Sequence, residues 1–175
     1  MNELTVEFGG VDNVLFTHES NDWSLALNLD VVAKELIFKV EMQPHTWIAV
    51  GLAPDLIEAD VIWWEAGSSG YDPADSPGTI QEELLLRRQS KVLDRISVHG
   101  VLLENKTNQL RNMLVLNDNL NRIQFTTWRA FDTKDPLDTL LRLDSEVPFS
   151  IASGSKNTTW EERTNHGTIN LYFNS

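Results

Sequence analysis

The chain is predicted to fold as a single all-β domain, an antiparallel sandwich, and three observations point there. Apolar and polar residues alternate in several separate segments. The links between these segments are rich in Asn, Asp, Gly and Pro. No internal repeat or linker divides the 175 residues, a length that buries a core without staples.

The first clear strand is Trp23-Ser24-Leu25-Ala26-Leu27-Asn28-Leu29, with Trp23, Leu25, Leu27 and Leu29 on one face. Val31-Val32-Ala33-Lys34 then reads as the turn of a hairpin. Its second arm alternates Phe38, Val40 and Met42 with Lys39 and Glu41. Trp47-Ile48-Ala49-Val50-Gly51-Leu52 is a continuously apolar strand, Ala53-Pro54-Asp55 ends it, and Ala59-Asp60-Val61-Ile62-Trp63-Trp64 begins another. Neighbours on a strand face opposite ways, so one of Trp63 and Trp64 enters the core and the other covers the outer face.

From Gly67 to Asn117 this rhythm breaks. Gly67-Ser68-Ser69-Gly70 and the run from Asp72 to Gly78 are loops. The run from Glu82 to Arg88 places acids first and bases last, which suits a short helix. Val92, Leu93 and Ile96 fit a helix or a strand equally well. Asn105-Lys106-Thr107-Asn108-Gln109 is a loop before Met113-Leu114-Val115-Leu116. Met42 and Met113 are expected to fill gaps in the core.

Ile123-Gln124-Phe125-Thr126-Thr127 alternates again and runs into Trp128 and Arg129. Lys134-Asp135-Pro136-Leu137 is turn chemistry, because Asp bonds its own backbone and Pro presets the backbone angle. The pattern Arg-x-x-x-Thr-x-Asp-x-x-Asp, carried by Arg129, Thr133, Asp135 and Asp138, matches no nucleophile or metal motif. It is expected to be structural, with Arg129 held by one or more of Asp132, Asp135 and Asp138. Ile169, Leu171 and Phe173 alternate in the last strand. The expected core includes Leu25, Leu27, Phe38, Val40, Ile48, Val50, Ile123 and Phe125.

Composition narrows the function. A net charge of −12 opposes binding to nucleic acid or to an anionic membrane surface. With no Cys there is no disulfide, zinc-thiolate site or thiol nucleophile. The run from Met1 to Phe8 lacks the basic start and apolar stretch of a signal peptide, and no segment is long enough to span a bilayer. A cytosolic protein and a trimmed or mature domain both fit that start. Asn105-Lys106-Thr107 and Asn157-Thr158-Thr159 are glycosylation sequons. No Ser lies in a nucleophile elbow, and Glu82-Glu83 and Glu161-Glu162 are adjacent, poorly placed to flank one bond.

Taken together, Trp47-x-x-x-Gly51, the Ala59-Asp60-Val61 strand, the Arg129 to Asp138 motif and the closing Thr164-Asn165-His166-Gly167-Thr168-Ile169-Asn170-Leu171 resemble the DOMON domain. The resemblance covers about residue 10 to the end. That module stands at the amino end of copper monooxygenases of the dopamine beta-hydroxylase type and in cellobiose dehydrogenase cytochromes. It implies an immunoglobulin-like sandwich that binds a ligand, commonly haem or a sugar, and it does not imply catalysis. A b-type haem in the family takes a Met after the Trp strand and a His near the last strand. Here Leu56 stands where the Met is expected and has no donor atom, while Gly167 follows His166 at once, against the family spacing. No cofactor is therefore expected, apart from a possible Ca²⁺. Relatives carry a metal site near the residue that Asp60 resembles. Asp72 and Asp75 are weaker candidates that read first as turn residues.

Candidate ligand-binding residues are Trp63, Trp64, Trp160 and His166, since an outward indole beside carboxylates stacks a sugar ring or builds an interface. Trp160, flanked by polar residues, is expected to be the most exposed Trp. His18, His45 and His99 are spaced too far apart to read as a metal set. The resulting expectation is a non-catalytic module binding a protein partner, a sugar or a small ligand, accessory to an oxidoreductase or acting in extracellular recognition. One alternative is a haem cytochrome domain for electron transfer. Another is a carbohydrate-active hydrolase or lyase, for which the sequence supplies only unpaired acids.

Overall fold

The computed structural model of the chain describes residues 14–67, 90–105, 110–117 and 122–175. These form eleven strands and no helix: β1 (Val14–Glu19), β2 (Trp23–Asp30), β3 (Glu35–Met42), β4 (Thr46–Gly51), β5 (Ala59–Glu65), β6 (Lys91–Val98), β7 (Val101–Glu104), β8 (Arg111–Asn117), β9 (Arg122–Ala130), β10 (Ser145–Ser155) and β11 (Thr164–Phe173). A five-stranded sheet runs β1-β2-β3-β9-β8 and a six-stranded sheet runs β11-β10-β4-β5-β6-β7. Every pairing is antiparallel. The chain is an all-β sandwich. The loop residues from Ser68 to Gly78, the Asp72 and Asp75 candidates and the helix expected from Glu82 to Arg88 lie outside the described residues.

Alternation does the work in the five-stranded sheet. Strand β2 is buried at every second residue from Trp23 to Leu29, and β3 likewise at Leu36, Phe38, Val40 and Met42. Their partners on β9, Ile123 and Phe125, are buried too, and all the expected core residues lie in one apolar cluster between the sheets. Strands β4 and β5 are buried on both faces along nearly their whole length, so they read as unbroken apolar runs. The ambiguous Val92-Leu93-Ile96 segment is strand β6, with Val92 opposite Trp64 and Leu93 opposite Trp63. A helix of that length is marginal alone, whereas pairing with β5 satisfies its backbone.

Trp63 and Trp64 divide as their adjacency requires. Trp64 is fully buried between the sheets and donates its indole N–H to Thr127 Oγ1 at 2.9 Å. Trp63 faces the other way. Met42 fills the core as expected, but Met113 is 51% exposed. It pairs with Thr126 on the outer face of edge strand β8, where no second layer covers it among the described residues.

Candidate functional site

At one end of the sandwich the inner face of β9 carries Arg129 and the inner face of β5 carries Asp60. Both side chains are almost wholly buried, at 1% and 3% exposure, and Arg129 Nη2 donates to Asp60 Oδ2 at 2.7 Å. The Thr139 backbone brackets the pair, its carbonyl accepting from Arg129 Nη2 at 2.7 Å and its amide donating to Asp60 Oδ2 at 2.8 Å. Arg129 Nη1 also donates to the Ala130 carbonyl at 3.0 Å. The partner of Arg129 is thus Asp60, 69 residues away, and not Asp132, Asp135 or Asp138 as the spacing suggested. The reason is the strand period: Arg129 points into the core, while the three acids belong to the turn beyond it.

Those acids organise that turn. Asp132 accepts from the backbone and side chain of Lys134, which holds its carboxyl below the usual range. Asp135 Oδ1 accepts from the Leu137 amide at 2.9 Å. Thr133 Oγ1 donates to Asp138 Oδ2 at 2.6 Å. Asn105, at the end of β7, closes the arrangement by donating to Asp135 Oδ2 at 3.2 Å and Asp138 Oδ1 at 3.1 Å. The motif therefore ties the end of the five-stranded sheet to the edge of the other. Burial raises the pKa of Asp138, with Asp60 and Asp135 adding to that, against the opposing pull of the Thr133 bond and Arg129.

Carboxylate oxygens of Asp60, Asp94 and Asp138 lie within 4.8 Å of one another. Such a set has the chemistry for a hard divalent ion. Its oxygens are already engaged, however: Asp60 Oδ2 by a guanidinium and an amide, and both oxygens of Asp138 by Thr133 and Asn105. Nothing in the sequence assigns Asp94 to this site, and Asn105 shows there only as part of a sequon, since only the β5–β6 pairing and the end of β7 bring them here.

The outer face of the six-stranded sheet is closed. Trp47 and Trp63 stack with ring centres 4.2 Å apart, and Trp160 packs over them at about 6 Å. Trp47 lies flat on β10, where a Cβ at Gly154 would meet its ring at 2.5 Å. Trp160, expected to be exposed, is only 8% so. It donates to the Gly100 carbonyl at 3.0 Å, and the guanidinium of Arg163 covers its outer ring face at 4.3 Å. Its polar neighbours face water while its indole serves as a strap. None of the three ligand-binding Trp candidates is open to solvent.

His166 sits elsewhere, at the edge where β11 meets β1. It shares a bond of 2.7 Å with Ser153 Oγ and packs edge-on against Trp23, with the His18 ring 5.9 Å away. Burial lowers the pKa of both imidazoles, and His18 lowers that of His166 further. Leu56 belongs to the Trp47–Trp63–Trp160 cluster, whereas Trp23 belongs to the core between the sheets. Of the two positions that the resemblance pairs around haem, Leu56 thus lies in one cluster and has no donor atom, while His166 packs on Trp23 of the other. These residues do not fit that group.

The outer face of the five-stranded sheet is different. Register sets its side chains in rows across the strands: Glu19, Ser24, Glu41, Gln124 and Val115, then Thr17, Ala26, Lys39, Thr126 and Met113, then Asn28, Ile37, Trp128 and Arg111. Short side chains at Ser24, Ala26 and Thr17 leave a depression of about 130 Å³, rimmed by Glu19, Lys39, Glu41 and Gln124. Glu41 has Arg122 at 3.9 Å, a long contact. Among the described residues, the side chains of Lys39, Gln124, Glu19, Ser24 and Thr17 have no hydrogen-bond or ion-pair partner. Trp128 borders this face and alone of the six indoles is not buried. Arg111, tied to Glu35 at 2.8 Å, lies over its ring at 5.3 Å. Alternation places Lys39 and Gln124 on the solvent side, but nothing in the sequence brings them together.

Among the described residues no helix is long and apolar enough to cross a membrane. No protein-family model and no curated protein matches the chain.

Proposed function

We propose that the protein is a non-catalytic binding module that takes a small, neutral, polyhydroxylated ligand, a sugar unit, on the open face of its five-stranded sheet. One observation carries this reading: the depression of about 130 Å³ is rimmed by Glu19, Lys39 and Gln124, whose side chains have no partner among the described residues, and by Glu41, whose contact with Arg122 is a long 3.9 Å. Such groups break no internal bond when a ligand engages them; they exchange bonds to water for bonds to the ligand, each worth about 0.5–1.5 kcal/mol net. The volume equals that of about four waters, enough to seat part of one sugar ring. The rim carries two carboxylates, Glu19 and Glu41, in one row and one amine, Lys39, in the next, so a charged ligand of either sign meets its own charge. Hydroxyls instead find acceptors at Glu19 and Glu41, a donor at Lys39 and both at Gln124. The absence of catalysis is inferred from the engagement of Asp60 and Asp138, the buried acids a hydrolase reading would have recruited.

The test is a titration of the protein with cellotetraose, xylotetraose, mannotetraose and laminaritetraose, followed by backbone amide shifts. Binding of one of them, with shifts on β2, β3 and β9 and a loss of affinity in Gln124→Ala, supports the reading. Shifts confined to the Trp160 strap, or no binding to any of the four, sinks it.

A further inference from the structure

Of the two sequons, one can carry a glycan in the folded protein and the other cannot. Asn157 is exposed in the turn that follows β10, where the Thr158 amide donates to the Ser155 carbonyl at 2.9 Å. Its side-chain amide has no partner among the described residues, and Thr159 supplies the hydroxyl two residues on. Asn105 is 7% exposed, and its Nδ2 already donates to both Asp135 and Asp138. A sugar on that nitrogen would replace an N–H, evict the side chain from the turn and leave two carboxylates without their donor.

We propose that Asn157 is the N-glycosylation site of this chain in a secretory lumen, and that Asn105 stays unmodified in the folded protein. In the reaction, a bond forms between Asn157 Nδ2 and the anomeric carbon of a lipid diphosphate-linked oligosaccharide. The bond from that carbon to the diphosphate oxygen breaks, the amide proton is lost, and the lipid diphosphate leaves. No oxidation or reduction is involved. The position is telling in a second respect. Asn157 belongs to the strap of the six-stranded sheet, so its glycan is carried by the closed side of the molecule and by no strand of the open face.

The test is expression of the whole chain behind a cleavable secretion signal in a eukaryotic host. Occupancy is read by peptide mass spectrometry on both the total lumenal and the secreted protein, with an endoglycosidase shift as a second readout. The expected result is one glycan at Asn157 in both fractions, lost in Asn157→Gln and retained in Asn105→Gln. An empty Asn157 in the lumenal wild type overturns the proposal, as does an occupied Asn105 in secreted, monodisperse protein. Because attachment precedes folding, the lumenal fraction reports on Asn157 even for a variant that folds poorly.

Discussion

The two outer faces of the sandwich use similar residue types to opposite ends. On the six-stranded sheet, Trp47, Trp160 and Arg163 spend N–H groups on backbone carbonyls of the strap and of the β6–β7 turn, while the buried Trp63 indole N–H and Arg95 Nε lie under the packed rings without a hydrogen-bond partner among the described residues. On the five-stranded sheet, the side chains of Lys39, Gln124, Glu19 and Ser24 stand in rows with no partner among the described residues. The buried pair at the end of the sandwich follows the first pattern. Asp60 and Arg129 are bonded to each other and both to the Thr139 backbone. Aromatic or charged character alone therefore does not distinguish scaffold from binding surface. Whether the hydrogen-bonding capacity is used internally does, because a buried polar group must be satisfied and an exposed one need not be.

The largest effect is expected from stranding a charge on the scaffold side. Arg129→Met leaves the Asp60 carboxylate buried without its partner, and should cost on the order of 3–5 kcal/mol. For a chain of this length that lowers the melting temperature by roughly 6–20 °C. The double variant Arg129→Met with Asp60→Leu should recover a large part of the loss. Differential scanning calorimetry of the three proteins reads this directly. A single variant that melts with the wild type would mean the pair is not the buried lock it is taken to be.

Trp160→Ala removes the strap's anchor, leaves the Gly100 carbonyl without its donor and opens a void over Trp47 and Trp63. Truncating a buried Trp typically costs about 3–5 kcal/mol, and a strap that relaxes into the void would hold this case at the lower end. Denaturant unfolding followed by tryptophan fluorescence gives the value. An exposed, ligand-stacking Trp160 would instead cost little stability.

A smaller effect belongs to pH. His18 and His166 have folded pKa values lowered by burial, so the unfolded chain binds the more protons. Stability is therefore full above the unfolded value of about 6.5 and falls as pH drops through the lowered folded values. Asp138 acts in the opposite sense. Its folded pKa is raised, so the folded chain holds that proton more tightly, and stability gains as pH falls toward the unfolded value of about 3.9. Melting temperatures between pH 7.5 and pH 5 should decline, and His18→Gln should flatten the decline. A profile that rises over that interval would mean the imidazoles are stabilised in their charged form.

Much of this fold was legible in the sequence because a period of two is a local signal. Leu25, Leu27, Phe38 and Val40 announce their face within a few residues of themselves. Strand β6 was not, since Val92, Leu93 and Ile96 fit both periods and only pairing with β5 decides. The site was less legible for the same reason. Asp60 and the Arg129 motif were each conspicuous, but their partnership spans 69 residues and depends on which face of β9 meets which face of β5. Trp160 misled because its neighbours are polar: they face water while its ring turns under them. Asp94, Asn105, Lys39 and Gln124 carry ordinary residues in ordinary places, and only sheet register gathers them.

The most direct test sits at the weakest end of the stability scale. Lys39→Ala removes an exposed amine with no partner among the described residues, so stability should change by less than about 0.5 kcal/mol. Losing a charged hydrogen-bond donor to the ligand should weaken binding at least about tenfold. Isothermal titration calorimetry of wild type and Lys39→Ala, with whichever of the four tetrasaccharides binds, measures the affinity, and a thermal melt of the same samples measures the rest. The account predicts lost affinity at an unchanged melting temperature. Unchanged affinity in Lys39→Ala, or a large fall in its melting temperature, would contradict the claim that the open face is the binding surface.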